Sequence, residues 1–165
     1  GIPIVGLEPS CLLALRDEIP SLLKTPAAKN VAQMARTFEE LLSSDKIELA
    51  LKPLKAKALL HGHCHQKAFD VMQPIEKVLS MIDGLEVETI EASCCGMAGA
   101  FGYGKNTHEI SQKMGEASLL PKVRHASKEI LIVSDGISCR TQIKDGAQRN
   151  AIHVARLLDY QLQNN

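Results

Sequence analysis

An α/β fold, with a parallel sheet covered by helices on both faces in the Rossmann-like manner, is predicted by two patterns in the 165-residue sequence. Four short aliphatic runs, at 2–7, 57–61, 85–90 and 130–134, end in Gly, Ser, Asp or Cys and read as buried strands. Between them lie stretches whose apolar residues recur at helical spacing, and strands alternating with helices of this length imply βαβ crossovers and a parallel sheet. A third observation marks one edge of that sheet: every cysteine follows the C-terminal end of a predicted strand.

Taken in order, the run at 2–7 leads through Ser10-Cys11 into a helical region. Val31, Met34, Ala35, Phe38, Leu41 and Leu42 then share one helical face. After the strand at 57–61, Val71, Ile75, Val78, Leu79 and Ile82 line a second helix that stops at Asp83-Gly84. The strand at 85–90 follows, then a helix capped near Asn106-Thr107 with Ile110, Met114, Ala117 and Leu120 on one face. Beyond the strand at 130–134, Ser138-Cys139 opens another helix, and a last one over 148–162 holds Ile152, Ala155 and Leu158, with His153 expected as a core histidine on its apolar face. His108 and His125 read as surface residues.

Composition excludes several classes. Nineteen basic residues balance nineteen acidic ones, so no excess charge exists to neutralise phosphates, and nucleic acid is not an expected partner. Aromatics make up 3%, which leaves an aliphatic core and no base-stacking platform. No apolar run approaches the length a membrane-spanning helix needs and no signal peptide is seen, so direct membrane insertion is not expected. The expected location is cytoplasmic, or peripheral to the inner membrane through a parent complex. The apolar opening Ile2-Pro3-Ile4-Val5, without a leader, points to a piece of a longer chain.

An internal echo supports this. One constant shift along the chain places Ile4-Val5 on Ile132-Val133, Ser10-Cys11 on Ser138-Cys139 and Asp17 on Asp145. The organisation expected is therefore a closing strand-turn-helix of a preceding repeat over 1–25, a helical connection over 26–54 and a complete repeat over 55–165.

Ligands of open parallel sheets bind outside the carboxyl ends of the strands, so Cys11, Cys64, Cys94, Cys95 and Cys139 are brought to one edge. Thiolates there select zinc, copper(I) or iron–sulfur clusters. The close Cys-x-x-Cys pair typical of structural zinc is missing, whereas Cys94-Cys95-Gly96 places two thiols on one turn whose glycine, with Gly99, Gly102 and Gly104, lets backbone wrap a bulky group. His61, His63 and His65 alternate around Cys64 and would share one side of a continuing strand. They could be ligands, donors to sulfur or proton carriers, with support of the thiols favoured over ligation. Lys67 offsets thiolate charge. Cys64 flanked by His63 and His65 also permits a thiol-redox enzyme.

Cys64, Cys94-Cys95-Gly96 and Cys139 together resemble the cysteine-rich CCG domain. That domain occurs twice in the heterodisulfide reductase B subunit, the iron–sulfur subunit of glycolate oxidase and the anchoring subunit of anaerobic glycerol-3-phosphate dehydrogenase. The wording Leu7-Glu8-Pro9-Ser10-Cys11, His61-Gly62-His63-Cys64-His65-Gln66-Lys67 and Ser93-Cys94-Cys95-Gly96-Met97 is most similar to the C-terminal part of fused FAD-linked oxidases of 2-hydroxy acids such as D-lactate, glycolate or D-2-hydroxyglutarate. The resemblance implies an iron–sulfur cluster, most simply 4Fe-4S, held by Cys64, Cys94, Cys95 and Cys139, with Cys11, His63 and His65 as further candidates. It also implies FAD in a flavin domain, and a ferredoxin-type module, elsewhere in the parent chain or complex. The fragment alone is not expected to turn over substrate. One departure stands out: the family pattern ends in Cys-x-x-Cys, and here Gly136 precedes Cys139 by three. Without the first repeat's own Cys-Cys-Gly the chain could instead hold no cluster or take zinc at the same thiols, so a zinc-bound or metal-free docking scaffold is the alternative.

Overall fold

The computed structural model describes residues 1–44 and 47–162. Positions 45–46 of the expected connection and 163–165 of the expected complete repeat lie outside the described residues.

Four parallel strands form the main sheet in the order β4-β3-β5-β6: β3 is Ala56–Leu60, β4 Leu85–Thr89, β5 Leu131–Val133 and β6 Ala151–Ile152. Leu60 pairs with Thr89 on one side and Val133 on the other, and Val133 pairs with Ile152, so the strand ends are level. Side-chain alternation sorts the core into two layers. Ala58, Leu60 and Val133 face Ile75, Val78 and Leu79 of α6 (Met72–Leu79), Leu157 and Leu158 of α10 (Val154–Gln161) and Leu42 of α4 (Phe38–Ser44). Leu59 and Ile132 face Leu119, Leu120 and Val123 of α8 (Leu119–His125) and Ile143 of α9 (Ile137–Ala147). The α/β class with helices on both faces of a parallel sheet is what the sequence predicts.

A smaller parallel sheet pairs β1 (Ile4–Gly6) with β2 (Ala35–Thr37), and α1 (Pro9–Leu13), α2 (Glu18–Leu23) and α3 (Pro26–Met34) lie between them in the chain. Its first strand is not buried: Ile4 and Val5 are 39% and 40% exposed. The helix expected through 31–42 breaks here, because Thr37-Phe38-Glu39-Glu40 is a capping box. The Thr37 amide donates to Glu40 Oε2 (2.8 Å) and the Glu40 amide to Thr37 Oγ1 (3.2 Å), which starts α4 afresh and leaves Ala35–Thr37 extended.

Two further expectations fail for physical reasons. The helix after Thr107 breaks at Ser118 into α7 (His108–Glu116) and α8, and α7 buries Ser111 and Gly115, not Ile110 and Met114, which are 51% and 37% exposed. Small residues face inward because the Cys95 carbonyl passes directly beneath Gly115. At the C-terminal end, Gln148 adopts a left-handed conformation that closes α9, β6 intervenes, and α10 starts at Val154. His153 is therefore the N-cap of α10: its Nδ1 accepts from the Ala155 amide (3.0 Å) and its Nε2 donates to the Leu7 carbonyl (2.8 Å). With the Ile137 amide donating to Glu8 Oε2 (2.9 Å), that bond ties the turn after β1 to the turns after β5 and β6.

Candidate metal centre

β3 ends at Leu60, so His61, His63 and His65 do not share a strand face. The His61 amide still donates to the Val133 carbonyl (2.9 Å), after which the chain turns into α5 (Cys64–Ala68). His63 caps that helix. Its Nδ1 accepts from the His65 amide (3.2 Å), and its own amide donates to Gln66 Oε1 (2.9 Å), so Cys64 stands at the first helical position. Gln66 Nε2 donates to Asp135 Oδ2 (2.9 Å), which locks α5 to the end of β5.

Past β4, Lys67 Nζ reaches across to the carbonyls of Ala92 and Ser93 and pins the approach to the cysteine pair. The Gly96 amide then donates to Cys94 Sγ (3.3 Å). Gly96 has φ +92°, and a Cβ there would lie 2.2 Å from the Ser111 carbonyl oxygen, so only glycine fits this turn. Past β5, Gly136 caps α9 and Cys139 is its third residue, buried beneath the site. A Cβ on Gly136 would lie 2.5 Å from His63 Cδ2 and 3.3 Å from Cys139 Sγ. The ring of His63 thus occupies the space beside Cys139 that a side chain at 136 would enter.

Four sequence-predicted cysteines meet as a row. Cys64, Cys94, Cys95 and Cys139 follow one another as neighbours that shift one another's ionisation, with His61 against the last, and Cys64 Sγ lies 3.8 Å from His63 Nδ1. The neighbouring Cys94 sulfur, acting as acceptor, pushes the exposed Cys64 thiol up. Cys94, accepting from Cys64 and Cys95, is held far below the thiol range. The bonds to Cys139 and Cys94 and burial push Cys95 up. Cys139, accepting from Cys95 and backed by His61 and His63, is held down at about 5. Burial lowers His63 and Lys67 against the pull of these thiolates. The row thus favours negative charge at Cys94 and Cys139 over Cys64 and Cys95.

Cys11, third residue of α1, is exposed and stays outside the row; among the described residues its thiol has no hydrogen-bond partner. His108 and His125 are exposed, as predicted. Sequence reasoning missed Gln66 and Asp135, although His63-x-x-Gln66 has the spacing of a capping box.

A tetrahedral zinc site, with Zn–S near 2.3 Å, sets its sulfurs about 3.8 Å apart on every edge. Among the described residues only Glu39, Asp135 and His153 bring three ligand atoms within 4.8 Å of one another. No three of the described cysteine sulfurs come that close to one another. The carboxylate group itself is poorly suited to a cation. Both ring nitrogens of His153 and both carboxylate oxygens of Asp135 already have partners. Burial and the Asp135 charge raise Glu39 from 4.5 to about 8, so it holds a proton.

The chain is 30% identical over 161 residues to the C subunit of anaerobic glycerol-3-phosphate dehydrogenase from Escherichia coli (strain K12), a match covering 96% of this chain and 40% of that protein. It is 28% identical over 153 residues to D-2-hydroxyglutarate dehydrogenase of Haemophilus influenzae, covering 87% of this chain and 15% of that protein. The corresponding figures for the Escherichia coli (strain K12) D-2-hydroxyglutarate dehydrogenase are 26% over 151 residues, 87% and 14%. The chain therefore spans less than half the length of each of these dehydrogenases or dehydrogenase subunits. No family model matches, and no solved structure matches. No helix among the described residues is long and apolar enough to cross a membrane.

Proposed function

We propose that the chain is an iron–sulfur electron-transfer domain of a flavin-linked oxidoreductase, with Cys64, Cys94, Cys95 and Cys139 as ligands. The single observation that carries this reading is the convergence of four thiols, delivered from the ends of three neighbouring parallel strands, close enough to shift one another's ionisation. A bound cluster would supply one-electron chemistry at that edge. The chain's own residues do the rest: Gly96 donates its amide to Cys94 sulfur, Lys67 fixes the loop before it, and Gln66 and Asp135 fix the helix that carries Cys64. FAD and a ferredoxin-type module belong to other parts of the parent chain or complex, whose substrate is a hydroxylated acid or glycerol phosphate; the dehydrogenase relatives, all much longer than this chain, support that placement. Five free cysteines fit a reducing, cytoplasmic setting.

The two-unit organisation belongs to the same reading. Residues 1–25 close one CCG repeat and 55–165 form another, supported by α1 and α9, whose starts at Pro9 and Ile137 are separated by the same shift that aligns Ser10-Cys11 with Ser138-Cys139.

Anaerobic purification tests the cluster. The expected protein is brown, absorbs broadly near 400 nm and contains iron and sulfide in comparable amounts, and Cys95→Ser loses both. Colourless protein with about one zinc per chain would overturn the reading in favour of a metal-stabilised docking scaffold.

A further inference from the structure

His61 is fully buried, at 0% exposure, and neither ring nitrogen has a directed hydrogen bond to any described group. Its amide is bonded to the Val133 carbonyl at the end of β5, and buried Cys139 follows on the helix that starts just beyond, so the ring lies on the Cys139 side of the thiol row, where it helps hold that thiol's pKa down. A buried imidazole without partners is costly, and an apolar side chain of the same size would fill this position between β3 and α9 more cheaply. His63 differs: its Nδ1 accepts from the His65 amide and lies 3.8 Å from Cys64 Sγ, so its ring already has partners.

We propose that His61 is a potential-setting residue, an N–H donor to the Cys139 sulfur when that sulfur ligates the cluster. The inference rests on the cluster reading above and assigns a function to a group that reading leaves unused. A donor to a ligating sulfur withdraws electron density from it, stabilises the reduced, more negative state and raises the reduction potential. Burial removes competing water, so the bond acts at full strength.

The test compares wild type, His61→Leu and His61→Gln in anaerobically purified protein, read by iron and sulfide content, by redox titration and by melting of the metal-free forms. The Leu variant is expected to keep the cluster with a lower midpoint potential, and its metal-free form to melt at or above wild type because an unpaired polar group is gone. The Gln variant, which keeps an N–H, is expected to recover most of the potential. Loss of iron from Leu but not from Gln also supports a donor. An unchanged potential in His61→Leu would overturn the inference and leave the cluster reading standing. Loss of iron from both variants makes His61 a ligand instead, as does strong nitrogen-15 hyperfine coupling in protein labelled at histidine. Wild type without iron overturns the cluster reading, and this inference with it.

Discussion

The helices α1 and α9 begin at Pro9 and Ile137, each follows a parallel strand, and each carries a cysteine as its third residue. Locally the two turns are nearly interchangeable. Cys139 is nonetheless 1% exposed among two histidines and three thiols, while Cys11 is exposed with no partner among the described residues. The difference lies in the sheet. β5 is flanked by β3, whose end delivers His61, His63 and Cys64, and β4 beyond it delivers Cys94 and Cys95; β1 has only β2, whose end delivers Thr37 and a capping box. A strand-turn-helix with a cysteine is thus a position in a site, and neighbouring strands decide what chemistry occurs there.

The largest expected effect breaks this comparison outright. Cys139→Ser should reduce cluster iron at least tenfold, whereas Cys11→Ser should leave it at the wild-type level, as measured by iron and sulfide analysis after anaerobic reconstitution. Equal loss from both would mean that the two turns share one centre.

How much of this was legible in the sequence follows the same division. Strand ends and their cysteines could be read because aliphatic runs and thiols are local signals; the row formed by Cys64, Cys94, Cys95 and Cys139 needs only their convergence. Two-residue β6 and three-residue β2 were hidden because so few residues show no periodicity. Ile110 and Met114 misled because apolar spacing cannot reveal that the Cys95 backbone leaves room only for Ser111 and Gly115. Glu39 and Asp135 escaped notice because this buried acid pair joins elements far apart in the chain, and no local pattern marks either residue.

That pair links α4 to the turn after β5 and gives the next largest effect. Glu39 is raised from 4.5 to about 8 by burial, reinforced by the Asp135 charge. Between those values the folded protein holds a proton that the unfolded chain has released. Stability is therefore greatest below pH 4.5 as far as this group is concerned, and falls as pH rises to about 8, by roughly 1 kcal/mol per pH unit where the slope is steepest. Urea melts of the metal-free chain at pH 5.5, 6.5 and 7.5 should show the decline, and Glu39→Gln should flatten it. An equally steep decline in the Gln variant would place the titration elsewhere.

The smallest effects separate the two turns at one equivalent position, since the shift that lays Cys11 on Cys139 also lays Glu8 on Gly136. A methyl group on Gly136 meets His63 Cδ2 at 2.5 Å and must displace that ring, so Gly136→Ala should cost about 1–3 kcal/mol. It should also lower cluster occupancy, because His63 caps the helix that begins with Cys64. Glu8 accepts from Ser10 Oγ (2.8 Å) and from the Ile137 amide, at an exposed start of α9 where water can replace it. Glu8→Ala should therefore cost only about 0.5–1 kcal/mol and leave iron content unchanged. A larger penalty for Glu8→Ala than for Gly136→Ala would show that the bond between the turns, not the packing around Cys139, holds the site in shape.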